Sequence, residues 1–164
     1  MLAQRIEEFS RREIWNRARL AETSGESQSA YLYPPEKEGG MLEHAKMVGF
    51  LITRDYSKAR EFYEGKLGFE FVSLDQFALV MRVGGHDIRI SKVASFTPLQ
   101  STVLGWEVDN IETAVDGLRA RGVEFEKYPF VPDKERGIWV APGGSKIAWF
   151  KDPDGNVLSL SQHG

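Results

Sequence analysis

Three histidines and no cysteine narrow the chemistry open to this chain. Without a thiol there is no thiolate nucleophile, no disulfide and no zinc–thiolate centre. His44, His86 and His163 share no ligand spacing; they read as solvated surface or strand-end side chains, not as a metal set. What remains are charges embedded in apolar, strand-like runs: Arg89 in Ile88-Arg89-Ile90 and Glu107 in Trp106-Glu107-Val108. A charge withdrawn from water must be paired or used, because desolvating it alone is costly. Two readings stay open for these residues. Either they form an ion pair, with each other or across to a second copy, or Arg89 holds an anionic or carbonyl oxygen of a ligand while Glu107 acts as a general base. Aromatic side chains gather late in the chain, at Tyr128, Phe130, Trp139, Trp149 and Phe150. Trp139, in the Gly/Pro-containing run Gly137–Gly144, is the best placed to stack on a planar ligand, folding over a site from a loop and strand edge. Trp149 and Phe150 read as core.

The elements that must position these residues come from a repeat. Met47–Thr53 is followed by Asp55, a helical stretch and Gly68-Phe69-Glu70-Phe71. Thr102–Val108 is followed by Asp109, a helical stretch and Gly122-Val123-Glu124-Phe125, with Asp and Gly 13 residues apart in both copies. Ala59, Phe62, Tyr63 and Leu67 make the apolar stripe of the first helix, and Ile111, Val115 and Leu118 that of the second, each stopped by its glycine. Three strands are expected after each helix. In the first unit they are Phe69–Ser73, Phe77–Val83 and His86–Val93, with Gly84-Gly85 as a hairpin turn. In the second they are Val123–Lys127, Ile147–Phe150 and Asn156–Ser161, with Asp152-Pro153-Asp154-Gly155 as a turn. The pattern is βαβββ twice.

This layout, with Asp55, Phe62-Tyr63, Leu67-Gly68-Phe69, Asp109, Gly122 and Phe150–Asn156, resembles the vicinal oxygen chelate family of glyoxalases, bleomycin-resistance proteins and extradiol dioxygenases. The resemblance implies an α+β fold in which two βαβββ modules form a curled mixed sheet around a U-shaped cleft, completed in a homodimer. It also implies four cleft positions where metal-dependent members place His, Gln or Glu. Here those positions fall on Val48, Val103, Arg89 and Ser159, which offer no good donor set for a divalent ion, so no metal and no cofactor are expected. Alternation puts Gly49, Leu51, Thr53, Ile88, Ile90, Leu104, Trp106, Val108, Leu158 and Leu160 toward the helices. The cleft face then carries Val48, Phe50, Ile52, Asp87, Arg89, Ser91, Val103, Gly105, Glu107, Val157 and Ser159. Arg89, Glu107, Phe50, Ser159 and Trp139 are the expected ligand-binding residues, and Glu107 the catalytic candidate. The expected function is a metal-free protein that binds a small planar or anionic molecule in a dimer cleft. The rival is a glyoxalase-like lyase, isomerase or dioxygenase using an altered metal site or Glu107 chemistry.

Composition narrows the partners. Hydrophobic residues at 41% and charged residues at 27% describe a folding chain and not a disordered one. A net charge of −3 with interspersed signs leaves no footprint for nucleic acid. No apolar run is long enough to span a bilayer and no secretory leader is recognisable, so a cytoplasmic protein is expected. Residues 1–40 read as an extension, helical and then linker-like, ahead of a domain over 41–164 with module one at 44–93 and module two at 101–163.

Overall fold

The computed structural model describes residue 40 and residues 42–163, so the expected helix and linker over 1–40 lie, Gly40 apart, outside the described residues. Just ahead of the domain, a turn at 42–44 is closed by Glu43 N–H donating to the Gly40 carbonyl at 2.9 Å and Ala45 N–H to that of Leu42 at 3.0 Å.

From residue 46 onward two modules follow in sequence. In the first, β1 (Val48–Thr53) leads into α1 (Tyr56–Arg60), which continues as a π-helical segment (Glu61–Lys66), then β2 (Glu70–Leu74), β3 (Leu79–Val83) and β4 (His86–Lys92). The second comprises β5 (Thr102–Glu107), α2 (Ile111–Ala120), β6 (Ile138–Val140), β7 (Lys146–Lys151) and β8 (Val157–Gln162). Each module forms its own four-stranded mixed sheet, in the orders β1-β4-β3-β2 and β5-β8-β7-β6. The first strand is parallel to the last, and the remaining pairs are antiparallel. Parallel pairing of first and last strands is what a crossover helix permits.

Period-two alternation decides the faces as expected. Along β1, Leu51 and Thr53 are buried while Val48, Phe50 and Ile52 are exposed. Ile88, Ile90, Leu158 and Leu160 bury on the same side as the helices, and one apolar core joins both modules through Phe62, Tyr63, Phe69, Ile111, Val115 and Phe150. Val157, expected on the cleft face, is buried instead, next to an irregularity in the β5–β8 pairing between Thr102 and Leu104.

The second helix is capped by Asn110, whose side chain accepts from Thr113 N–H at 2.9 Å. Asp55 caps the first helix, accepting from Ser57 and Lys58 N–H. From cap to terminal glycine there are thus 13 residues in module one and 12 in module two. The extra residue is absorbed by the π-helical turn, where Leu67 N–H reaches back five residues to the Phe62 carbonyl at 3.0 Å. Both helices end on a left-handed glycine, Gly68 at φ 78° and Gly122 at φ 76°, a conformation that costs a residue with a Cβ.

The expected strand Val123–Lys127 is reduced to a single bridge between Phe125 and Phe150, extended by Glu126 N–H donating to the Trp149 carbonyl at 2.7 Å. The chain then leaves the sheet edge and returns at Gly137, where a Cβ would stand 2.8 Å from the Glu126 carbonyl oxygen. Pairing with β7 resumes at β6, inside the run expected to form a lid. The edge strand of module two is therefore one strand interrupted by an excursion over residues 127–137.

Asp152, Asp154 and Asn156 are buried and tie module two to module one. Asp152 accepts from Tyr63 Oη at 2.8 Å, from Asp154 and Asn156 N–H at 2.9 Å each, and from Asn156 Nδ2 at 2.7 Å. Asp154 accepts from the Thr53 hydroxyl and from Arg54 Nε at 2.8 Å, and Asn156 Nδ2 also donates to the Ile52 carbonyl at 2.9 Å. The turn motif is thus a polar clasp between the copies, with every buried polar side-chain atom among the described residues hydrogen-bonded.

Candidate functional site

Each sheet has one face away from the helices, and strand register places the site candidates there in rows. On the first sheet Phe50 pairs with Arg89, which pairs in turn with Val80. Phe50 is 70% exposed, and Val48 and Ile52 beside it are 41% exposed each, an apolar surface around one guanidinium. Asp87, on the same face, is taken by Arg82, whose Nε donates to it at 2.7 Å. That hydrogen bond, more than the accompanying charge attraction, holds the Asp87 carboxyl below the usual carboxylate range. Arg89 itself makes no ion pair among the described residues. Its charge is felt weakly by Asp75, a carboxylate held low chiefly by the Phe77 and Ala78 N–H groups.

On the second sheet one row runs Gly105, Ser159, Trp149, and the next runs Glu107, Ser161, Ile147, Trp139. Gly105 is required here because a Cβ would come within 2.5 Å of Ser159 Oγ. Trp149, expected in the core, faces this open side and is only half-buried, while Phe150 next to it is fully buried. The two indoles lie 6.2 Å apart between centroids. Tyr128 and Phe130, stacked on each other at 5.5 Å, pack their edges against Trp149 at 5.6 and 6.1 Å. Trp149 is fixed by its Nε1–H donating to Thr102 Oγ1 at 3.1 Å. The segment that folds onto the open face is therefore 128–130, and not the Gly137–Gly144 run.

Of the five expected ligand-binding residues, Phe50 and Arg89 come together on the first sheet. Glu107, Ser159 and Trp139 share a face of the second. Glu107 is exposed and, like Arg89, makes no ion pair among the described residues, so the Arg89–Glu107 bridge is not formed. Tyr128, Phe130 and Trp149, grouped with Trp139 in the sequence reading, were not expected among the ligand-binding residues, and it is their packing on the open face that the structure adds. Alternation with Ala148 and Phe150 was the available signal for Trp149, but a run with an aromatic on both phases does not say which one is buried.

The four family metal positions do not fit a divalent ion. Val48 and Val103 carry no lone pair, Arg89 is a permanent cation and Ser159 a neutral hydroxyl. Among the described residues no group of three or more His, Asp or Glu side chains converges as a ligand set. His86 and His163 are exposed, and His163 Nδ1 lies 3.2 Å from Ser145 Oγ.

Two βαβββ modules, each a four-stranded mixed sheet with its first and last strands parallel, define the vicinal oxygen chelate class of α+β protein. The chain belongs to the Glyoxalase/Bleomycin resistance protein/Dioxygenase superfamily, whose profile matches residues 42–160. Solved structures agree on the fold. A glyoxalase family protein from Bacillus anthracis superposes with a TM-score of 0.56 at 17% identity, covering 73% of this chain and 94% of its own. A superfamily member from Sphaerobacter thermophilus gives 0.55 at 24% identity, covering 72% and 96%. An integron cassette protein from a sewage-outfall metagenome gives 0.55 at 18% identity, covering 72% and 97%. No curated protein matches.

Proposed function

We propose that this chain is a binding protein of the bleomycin-resistance kind, taking a small planar, anionic molecule against the open sheet faces, with a second copy completing the cleft and no metal involved. The observation that carries the reading is Arg89: a guanidinium without a carboxylate partner among the described residues, set between Phe50 and Val80. A cation in an apolar surround is a good anchor for an anion, since water competes poorly there. The aromatic group around Trp139 and Trp149 supplies flat, rigid surface for a ring system. Phe50, Val48 and Ile52 are exposed apolar side chains on an edge strand, which a second copy would cover.

The test is a panel of aromatic carboxylates and phosphates read by thermal shift, with and without divalent metal, followed by calorimetry on the hits. A hit should raise the melting temperature equally with and without metal, and Arg89→Ala should weaken it by about ten-fold, as the loss of one charge-assisted contact implies. Unchanged affinity in Arg89→Ala removes Arg89 from the site, and metal-dependent binding defeats the metal-free reading. Light scattering at micromolar concentration should give a dimer.

A further inference from the structure

On the helix side of the sheets, away from the open faces, lies a cavity of about 520 Å³ where the two modules meet. Its walls are apolar, with Phe69, Trp106, Leu118, Phe150 and Leu160 among them, and Arg121 lies on its wall at the end of α2. That volume is within the usual range of small-molecule pockets. We propose that this cavity is a second binding site, for a molecule with an apolar body and a single carboxylate, the chain seated against Trp106 and Leu118 and the carboxylate on Arg121.

Arg121 is exposed and has no carboxylate partner among the described residues. Its only hydrogen bond among them is a long one, Nη1 donating to the Lys66 carbonyl at 3.4 Å, while Lys66 Nζ donates to the Gly122 carbonyl at 2.8 Å. Two helix ends thus bring two cations together beside an apolar hole, and most of Arg121's donors remain available. The indole N–H of Trp106 likewise makes no hydrogen bond among the described residues, although its ring is held between Phe69 at 5.4 Å and Phe150 at 6.4 Å. Donors without a protein acceptor are free to meet a ligand oxygen in place of water, and the apolar walls suit hydrocarbon. Glu107 also borders the cavity. Its place in the row with Ser161 and Trp139 turns the carboxylate to the opposite face, where water screens it.

Gly117 provides the means to test this. It lines the cavity, and a Cβ built there meets nothing within 4 Å. Gly117→Phe therefore fills the cavity with an aromatic ring from a helix interior, where replacing glycine does not cost helix stability. Decanoate and decanol are the probes, measured by calorimetry on the full chain. Wild type should bind one decanoate per chain in the cavity, and decanol more weakly. Arg121→Gln, a surface change that leaves the fold intact, should weaken decanoate by about ten-fold and leave decanol unchanged, as expected for losing a charge-assisted pair. Gly117→Phe should abolish both, and Trp139→Ala on the open face should change neither. No decanoate binding by wild type, full binding in Gly117→Phe, or equal loss of both probes in Arg121→Gln would overturn the proposal. Because Trp139 and Arg89 do not contribute to this cavity, the outcome is independent of the open-face reading.

Discussion

Asp154 and Tyr63 are both buried at one turn, and their environments set opposite pH limits of stability. Burial pushes the Asp154 carboxyl up, but the hydrogen bonds from Thr53 and Arg54 outweigh it and hold the group below its ordinary 3.8. A carboxylate held low in the folded chain contributes fully above its ordinary pKa and loses that contribution as pH falls through the lower folded value. Stability should therefore decline on acidification from about pH 4, and Asp154→Asn should flatten that decline; urea midpoints measured from pH 6 to pH 2.5 check it. Other carboxylates held low, such as Asp87 and Asp116, are too exposed to water for their pairs to matter comparably. At the other limit stands Tyr63, fully buried, its phenol pushed well above 10.0 by burial first and by the Asp152 carboxylate second. A raised phenol stabilises the folded chain below its ordinary pKa and ceases to do so as pH climbs through the folded value. Tyr63→Phe should remove the alkaline decline above about pH 10 and cost about 1–2 kcal/mol at neutral pH, since Asp152 loses a donor. A wild-type alkaline slope persisting in Tyr63→Phe would count against this assignment.

At the level of elements, the two helices are alike in capping and unlike in winding. Asn110 satisfies an N–H at the start of α2 that has no partner within the helix, so Asn110→Ala should lower stability by about 1 kcal/mol in chemical denaturation. Asp109→Ala, one residue earlier, should have less than half that effect; the reverse ranking would show that Asp109 is the cap after all. The identical Asp-to-Gly spacing in the sequence concealed this difference. Repeat alignment pairs letters, whereas capping depends on which side chain reaches the free N–H groups. The extra residue taken up as a π-turn is invisible in the apolar stripe, because Phe62 and Tyr63 are both buried. The broken edge strand of module two escaped the sequence for a related reason. Val123–Lys127 alternates like a strand, and only the close passage of Gly137 over the Glu126 carbonyl shows the chain leaving the edge.

Over the whole molecule, duplication has not produced two independent domains. Phe69 packs on Trp106 at 5.4 Å and Phe62 lies 6.4 Å from Phe150, each pair spanning the modules, as does the clasp from Thr53, Arg54 and Tyr63 to Asp152 and Asp154. Neither module can close its own apolar helix face. The domain should therefore unfold in one step, with far-ultraviolet circular dichroism and tryptophan fluorescence giving the same denaturant midpoint, and residues 44–93 alone should fail to fold. Two separated transitions would mean that the shared core is weaker than its packing implies.

The sequence by itself determined what is local: the doubled βαβββ order, the helix stops, the apolar and polar faces of β1 and β4, and the unsuitability of valine, valine, arginine and serine as a divalent-metal set. Those features follow from side-chain period and donor chemistry, which neighbouring residues fix. Only the tertiary structure decided which distant residues meet. It left Arg89 and Glu107 apart on different sheets, turned Trp149 outward among Tyr128, Phe130 and Trp139, buried the aspartates of a surface-looking turn against Tyr63, and opened a cavity beside Arg121. Each of these depends on how two similar halves dock, which is set by the summed packing of their shared core and leaves no periodic trace in the chain.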